Sequence, residues 1–415
     1  MRSAPPLNAP AHTLLPAHDR QQGISHGTIM LKMLTAYTRE TDEVDVAVSD
    51  ILGQLEYQSR LLANAVGLIA CDVEFIETGV VKALCEQLPF EVAGCTTLAS
   101  AVPGAHGQRI LSLSVLTSED VRFSTAVSAA LPAEGIGQEI EDAYEAALSK
   151  LPGPPSLILA FTPVMPTISG AIILEHLDSI CNGIPIFGPF STDYTLAFEE
   201  SMTILNGDAS ENTVALILMH GEVNPRFFVS GSADGNIQKQ PAIITKSDGY
   251  LLQEVNDMLL TDYLDTLGLK PDNKNAKTAI TLPLVVTDET MVPLTRAIYS
   301  FTPEGHAICG GKMPVDATLA IGRLDYSAVL EKSTETMREL LAEENINAIL
   351  MYPCMVRNIM LGPDTDDEIR AIVDMIGDRA PYHLSYAGGE ICPMQGSGRR
   401  LINCFHNFTF IACVF

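Results

Sequence analysis

The same order of secondary-structure signals occurs three times along this chain of 415 residues. Each time, the apolar periodicity predicts a helix, a buried strand, a second helix, a second strand and a hairpin. The copies cover residues 46–127, 140–219 and 324–414. Identity between them is weak, so the repeat is one of pattern. Such an order predicts an α/β (mixed α+β) fold, in which sheets with parallel and antiparallel strands are flanked by helices.

A predicted hairpin closes each copy. Each is made of two apolar strands around a turn rich in small or polar residues. The three hairpins are Arg109–Leu116 with Val121–Val127, Met202–Leu205 with Val214–Met219, and Leu401–Phe405 with Phe408–Val414.

The segment between the second and third copies divides the chain. Residues 223–322 contain short strand patterns and a polar loop, Lys270–Lys277. We therefore predict two domains, residues 33–237 and 238–415. Residues 1–32 have three Pro in the first ten and little apolar periodicity, which predicts a disordered tail or a start codon assigned too early.

Composition excludes several classes of function. The net charge of −26 excludes an ordinary nucleic-acid clamp and disfavours an anionic membrane surface as partner. No apolar run approaches the ~20 residues of a membrane helix. The nine Cys include no Cys-x-x-Cys pair, so a disulfide framework or zinc ribbon is not expected. A reducing, cytoplasmic compartment fits this cysteine usage best.

Small and polar residues follow the second strand of each copy. Ligands of sheets with parallel strands tend to bind beyond the carboxyl ends of those strands, where loops diverge. Three corresponding segments therefore predict one composite pocket, although each segment alone is equally consistent with a tight turn. The candidate residues in them are Thr96, Thr97, Ser191, Thr192, Asp193, Gly389 and Glu390.

The third copy carries the most specific chemistry. If its two strands are neighbours, Arg357 and Glu390 lie at the opening of one pocket, beside Cys354 and Asn407. An Arg fork grips a carboxylate, and a Glu carboxylate accepts from an ammonium, so this set suits a small zwitterion. The alternative is an internal Arg357–Glu390 ion pair that fixes the loops.

The usual catalytic signatures are absent from the sequence: nucleophile elbow, phosphate loop, zinc-protease helix and dinucleotide fingerprint. Cys354 with His406 or His383 as base would make a Cys-dependent enzyme, but no spacing demands it. The nine His also permit a non-covalent haem, which needs a single His or Cys ligand in an apolar pocket.

At these residues the chain resembles the FIST (F-box and intracellular signal transduction) family, from Met33 to Phe415. The motifs that carry the resemblance in the N-terminal half are Val92-Ala93-Gly94-Cys95-Thr96-Thr97, Ile186-Phe187-Gly188 and Asn206-Gly207. Those in the C-terminal half are Leu282-Pro283-Leu284, Arg296, Cys354-x-x-Arg357, Gly389-Glu390 and His406-Asn407-x-Thr409.

The resemblance implies a FIST N domain, a FIST C domain and a non-catalytic sensory role. Family members are regarded as binders of small ligands, amino acids among them, that act on signalling partners. Similar stand-alone bacterial members are haem proteins that sense nitric oxide and regulate a histidine kinase. We expect a cytoplasmic sensor without a certain cofactor, with haem as the alternative.

The expected ligand site combines the residue chemistry with the family motif. Arg357 would hold a carboxylate, with Arg296 as a second anion anchor, and Glu390 would hold an amine. Asn407 would orient the ligand, and Cys354 would line the wall. Gly389 and His406 complete the predicted site in this half of the chain.

Overall fold

The computed structural model describes residues 31–165, 168–195, 198–231, 241–269, 281–288, 293–322, 325–395 and 400–415. Its helices and four sheets confirm the predicted mixed α/β class. Three units of similar element order form most of the fold, and a separate sheet is inserted within the third. Within these ranges no helix is both long and apolar enough to cross a membrane.

The first unit begins with a strand that the sequence patterns did not reveal, β1. Its strands are β1 (Leu31–Thr38), β2 (Asn64–Cys71), β3 (Val92–Thr96), β4 (Ser100–Val102), β5 (Ala105–Gly107) and β6 (Leu111–Ser118). Its helices are Val44–Leu55, Tyr57–Arg60, Glu74–Glu77 and Val80–Cys85. Helix Val44–Leu55 buries one face through Ala47, Val48, Ile51 and Leu55, the spacing of an amphipathic helix.

The second unit repeats this order with longer helices. Its strands are β7 (Arg122–Val127), β8 (Leu157–Phe161), β9 (Ile186–Pro189), β10 (Thr203–Leu205), β11 (Asp208–Ser210) and β12 (Ala215–His220). Its helices are Gly137–Leu148 and Gly170–Cys181. Ser169 precedes the latter and accepts a hydrogen bond from the Ala171 N–H, which satisfies one free donor at the helix start.

The third unit begins with β13 (Arg226–Gly231) and continues after the insert. The strands of the insert are β14 (Ala242–Asp248), β15 (Leu251–Val255), β16 (Met258–Leu259), β17 (Leu284–Thr287), β18 (Leu294–Arg296), β19 (Ile298–Phe301), β20 (Ala307–Cys309) and β21 (Thr318–Ile321), with helix Leu260–Thr266. The later strands of the unit are β22 (Ile349–Pro353), β23 (Tyr382–Ser385), β24 (Glu390–Gln395), β25 (Leu401–His406) and β26 (Thr409–Val414). Its helices are Tyr326–Leu340, Met355–Leu361, the 3-10 turn Gly362–Asp364 and Asp367–Ile376.

The three units exchange strands in a closed cycle. The sheet orders are β1-β6-β2-β3-β10-β11, β25-β24-β9-β8-β12-β7 and β13-β26-β22-β23-β4-β5. Each sheet therefore consists of four strands of its own unit and two strands from another. The second unit completes the first, the third completes the second, and the first completes the third.

This exchange shows that the predicted closing hairpins are wrong, because the two strands of each predicted hairpin do not pair with each other. Strand β6 pairs with β1 and β2, whereas β7 pairs with β12 in the next sheet. Likewise β25 pairs with β24, and β26 pairs with β13 and β22. In the second unit β10 pairs with β11 rather than with β12. The turn signals are real, but the chain changes sheets close to two of these turns.

The middle of the fold is an apolar cluster to which all three units contribute. Leu68, Phe187 and Tyr352, one from each unit, are buried in it, and the Phe187 and Tyr352 rings lie 5.3 Å apart. Burial of an aromatic side chain stabilises a fold by roughly 1.5–3 kcal/mol. Because this cluster contains residues from every unit, it is buried only when the three units are assembled through their exchanged strands.

Candidate functional site

The segments that follow β3, β9 and β23 meet at one junction. Each lies at the carboxyl end of the third strand of its unit, counted without the insert, which is the second strand of the corresponding sequence copy. The sequence predicts a composite pocket at these strand ends. Their backbones are joined by N–H···O hydrogen bonds from Thr192 to Thr96 (3.1 Å), from Gly388 to Phe190 (2.9 Å) and from Tyr386 to Ala99 (3.0 Å). The fold thus brings the three predicted segments together.

The threonines at this junction hydrogen bond within the protein. Thr96 Oγ1 accepts from the Met202 N–H at 2.9 Å. Thr97 Oγ1 donates to the Tyr386 carbonyl at 2.8 Å, which ties the first unit to the third. These two predicted site residues therefore contribute to the junction between units.

The second segment contains one free hydroxyl. Asp193 accepts from the Thr195 N–H at 2.6 Å and from the Glu200 N–H at 2.7 Å, so its carboxylate organises its own loop. The Thr192 hydroxyl lies 3.1 Å from Met355 Sδ. Ser191 is fully buried, and its hydroxyl has no hydrogen-bond partner among the described residues.

Arg357 is fully buried and forms an ion pair with Glu368. Its Nε lies 2.8 Å and its Nη2 2.6 Å from Glu368 Oε1. Nη2 also donates to the Ser333 hydroxyl at 2.6 Å, and the Tyr386 hydroxyl donates to Glu368 Oε2 at 2.8 Å. Arg357 belongs to helix Met355–Leu361 and Glu368 to helix Asp367–Ile376, so the pair joins two helices of the third unit.

Glu390, the predicted amine ligand, is fully buried and forms no ion pair of its own within the described ranges. Its Oε2 accepts from the Thr409 hydroxyl at 2.7 Å, while Oε1 has no hydrogen bond of ordinary geometry within the described part of the chain. Burial raises the pKa of Glu390 to about 8, although Thr409, the Cys354 thiol and the Arg357 charge oppose this shift. Burial therefore favours the protonated form of this carboxyl.

Arg296, the predicted second anion anchor, is buried in the insert at its contact with β25. Its Nη1 donates to the Phe405 carbonyl at 2.8 Å. Its Nε has no hydrogen-bond partner among the residues described. Burial lowers the pKa of Arg296 to about 10, because a desolvated guanidinium is less stable as a cation.

Asn407 and Tyr299 connect these two groups. Asn407 Oδ1 accepts from the Ala297 N–H at 3.2 Å, and its side chain hydrogen bonds with the Tyr299 hydroxyl. Burial raises the pKa of Tyr299 most, and the nearby Glu390 and Arg296 act on it in opposite directions. Arg296 and Glu390 therefore both lie close to Tyr299.

Glycines bring two backbone segments close to this cluster. A Cβ at Gly311 would lie 2.5 Å from Arg296 Nε, and one at Gly310 would collide with Asn407 Oδ1. A Cβ at Gly389 would lie 2.8 Å from the Phe405 ring and 3.6 Å from Asn407 Nδ2. Only residues without a side chain fit at these positions without a shift of the polar groups.

The thiol and imidazole groups of the predicted site are buried in their neutral forms. Burial and the adjacent Glu390 raise the pKa of Cys354 well above its ordinary value, so the thiol is not an activated nucleophile. His406 Nε2 lies 3.0 Å from the Cys392 carbonyl, and His383 Nδ1 lies 3.0 Å from the Ser114 hydroxyl. Burial lowers the pKa of both histidines to about 4.

The described ranges contain no cluster of three or more His, Cys, Asp or Glu that could hold a metal ion. Three of the histidines considered as haem ligands, His12, His18 and His26, lie outside the described residues.

Several residues of this region escaped sequence reasoning. Glu368 lies on a helix whose apolar periodicity reveals nothing about an ion pair, and Tyr299 lies on a short strand of the insert. The Gly310-Gly311 pair was a detectable signal, since adjacent glycines beside a strand often mark a close approach of the backbone.

Family comparison divides the chain into two matches. A family model for the FIST N domain matches residues 65–258, and one for the FIST C domain matches residues 259–393. No curated protein matches the chain. The Arg296–Glu390 cluster, with Asn407 just beyond the second match, lies in the C-terminal half.

Proposed function

Because the chain belongs to the FIST family of sensory signal-transduction domains, we propose that it binds a small zwitterion, such as an α-amino acid, between Arg296 and Glu390 and signals through a protein partner. The single observation that carries this proposal is a pair of buried atoms, Arg296 Nε and Glu390 Oε1, that have no hydrogen-bond partner among the described residues.

The energetic argument is that these atoms are expensive to leave unpaired. A buried polar group without a hydrogen bond costs about 1–3 kcal/mol, and a charged group costs more. Arg296 and Glu390 lie on either side of a contact between the insert and the third unit, where apolar residues would pack more favourably. A ligand that supplies an acceptor to Arg296 and a donor to Glu390 removes both penalties at once.

The chemistry of the two groups defines the ligand class. The Arg296 guanidinium would hold a carboxylate through its free Nε. Glu390 would accept from an ammonium group and lose its own proton, since a nearby cation favours the charged carboxylate. Asn407, with both donor and acceptor atoms, and Tyr299 would orient the ligand between them.

This proposal moves the carboxylate from Arg357 to Arg296. The Arg357 guanidinium already has Glu368 and Ser333 as partners, whereas one nitrogen of Arg296 has no partner among the residues that the structure describes. Arg357 then acts as a positioning residue, because its helix also begins beside Cys354 at the wall of the cluster.

The role that we propose is non-catalytic. The Cys354 thiol lies beside Glu390, and both burial and that carboxyl keep it protonated. Nothing among the described residues specifically favours haem, so the gas-sensor alternative stays a prediction from the resemblance. An absorption spectrum of protein expressed with haem precursor tests that alternative by the presence of a Soret band.

The test of the zwitterion site is calorimetric titration with the common L-amino acids. For any that binds, the matching amine without carboxylate and the matching acid without amine are titrated next. Loss of either group should weaken binding at least tenfold, since each removes one charge-assisted contact worth about 1.5–3 kcal/mol.

Variants then assign the contacts. Arg296→Met should abolish the selectivity for a carboxylate, and Glu390→Gln the selectivity for an amine. Arg370→Met changes an exposed arginine of the same half and is the matched control. Equal affinity of Arg296→Met and wild type for the amino acid would contradict the assignment of Arg296 as the carboxylate ligand.

A further inference from the structure

Two cysteines face each other across the hairpin that the third unit donates to the second. In the β24–β25 ladder, Cys392 is the register partner of Cys404. Directly opposed residues of antiparallel strands share one face and have Cα atoms about 4.5–5.5 Å apart. That separation falls within the roughly 4.4–6.8 Å that a disulfide spans.

The two thiols differ in access. Cys404 lies on the edge strand β25, and it alone of the nine cysteines is only partly buried, while Cys392 is buried. Each sulfur makes only a long contact with a carbonyl, at 3.5 Å for Cys404 and 3.7 Å for Cys392. Rotation of either thiol toward the other therefore breaks no strong hydrogen bond.

We propose that Cys392 and Cys404 form a redox-sensitive pair that peroxide converts to a cross-strand disulfide. The Cys404 thiolate attacks a peroxide oxygen, which breaks the O–O bond, releases hydroxide and forms a sulfenic acid. The Cys392 thiolate then attacks the Cys404 sulfur and displaces the sulfenic oxygen as hydroxide. The two thiol protons neutralise the two hydroxides, so one peroxide becomes two waters and the thiols lose two electrons.

Other neighbouring cysteines lack this geometry. Cys71 and Cys95 lie on adjacent strands but one residue out of register, and they pack into different apolar clusters. Cys413 packs near Cys392 in the central cluster, but it lies on β26, which pairs with β13 and β22. The strand register therefore favours Cys404 over Cys413 as the disulfide partner of Cys392.

The pair lies next to the proposed ligand site. Cys404 is close enough to Arg296 to interact with its charge, and the next residue, Phe405, supplies the carbonyl that holds Arg296. A disulfide would fix β25 against β24 and so restrict the strand that carries this carbonyl. This consequence for ligand binding rests on the proposed function, whereas formation of the disulfide does not.

The experiment is oxidation of the full chain with hydrogen peroxide, followed by thiol counting in denaturant and peptide mass spectrometry without reduction. Starting from nine thiols, we expect a loss of two and a cross-linked peptide that contains Cys392 and Cys404. The wild-type free thiol count should return after treatment with dithiothreitol.

Two single variants make the assignment specific. Cys404→Ser should abolish the cross-link, whereas Cys413→Ser should leave its yield unchanged. Burial raises the pKa of Cys404 to about 11, so the rate should rise about tenfold per pH unit between pH 7 and 9.

A Cys392–Cys413 cross-link, or nine thiols remaining after prolonged incubation with excess peroxide, would overturn the proposal. The result also separates the two proposals. A disulfide in a protein that binds no zwitterion refutes the ligand site and leaves the redox pair in place.

Discussion

Arg357 and Arg296 are both buried arginines of the C-terminal half, yet their surroundings differ. Arg357 has a carboxylate, a hydroxyl and backbone carbonyls around its guanidinium, all from the third unit. Arg296 ends strand β18 of the insert, where the insert contacts β25. It has one carbonyl partner, and its Nε has none in the described part of the chain. Glu390 also lies close to Tyr299, and burial raises the pKa of its carboxyl above the ordinary value.

The comparison distinguishes a structural use of buried charge from one suited to a ligand. A fully paired buried ion is costly to break, because removal of one partner leaves the other uncompensated. An unpaired buried ion is already uncompensated, so its removal costs the fold little. Stability and ligand affinity should therefore respond in opposite ways at the two arginines.

The largest expected effect is at the paired site. Arg357→Met leaves the Glu368 carboxylate buried without its cation and should lower the free energy of unfolding by about 3–5 kcal/mol. Chemical denaturation followed by circular dichroism measures this. The double variant Arg357→Met with Glu368→Leu should recover a substantial part of the loss. A single-variant loss below about 1 kcal/mol would contradict the structural role.

The next effect concerns the glycine beside the unpaired arginine. Gly311→Ala places a methyl group 2.5 Å from Arg296 Nε and should cost about 1–3 kcal/mol as overpacking, together with loss of the proposed ligand. Gly53→Ala is the control, because it meets nothing within 4 Å on an exposed helix face. That control should instead stabilise the protein by about 0.5–1 kcal/mol. Equal effects of the two changes would argue against close packing at Arg296.

The third prediction concerns pH. Between the ordinary pKa of 4.5 and the folded value of about 8, only the folded protein keeps the Glu390 proton. Unfolding releases that proton, so the contribution of Glu390 falls by about 1.4 kcal/mol per pH unit across this window.

Glu390→Gln should remove that slope, so we expect the wild type to lose stability relative to the variant as pH rises from 6.5 to 8. The buried histidines, whose folded pKa values are about 4, gain protons on unfolding near pH 6.5, but they do so equally in the two proteins and cancel in the difference. Parallel stability curves for the two proteins would show that Glu390 is ionised in the folded state.

The smallest expected change in stability is at Arg296 itself. Arg296→Met removes one hydrogen bond to the Phe405 carbonyl and also one desolvated cation, so the free energy of unfolding should change by less than about 1 kcal/mol. Thermal denaturation of Arg296→Met and Arg357→Met under the same conditions compares the two losses of stability directly. A loss as large as that of Arg357→Met would mean that Arg296 has an equally important structural role.

Local patterns located many elements of the fold. Helix Gly170–Cys181 and strand Leu157–Phe161 have the bounds that the sequence predicts. Helix Asp367–Ile376 begins one residue before its predicted start. Periodicity succeeds at these elements because the side chains that face the core recur within the element itself.

Part of the candidate site was also visible in sequence. The chain pattern identified the segments after β3, β9 and β23, and the fold brings them to one junction. Their use as a ligand site stays a prediction. The residues Glu390, Asn407 and Arg296 were selected by type and motif, without knowledge of which buried charges have partners.

The amino-acid sequence by itself determined the type and order of most elements, the repeat and the family, because these depend on propensity and periodicity over short stretches. Tertiary structure decided which strands pair, since β6 and β7 follow each other in the chain but lie in different sheets. It also decided that Arg357 pairs with Glu368, while Glu390 Oε1 has no hydrogen-bond partner in the described part of the chain. Pairing across units depends on simultaneous burial of distant surfaces, and no local pattern encodes that.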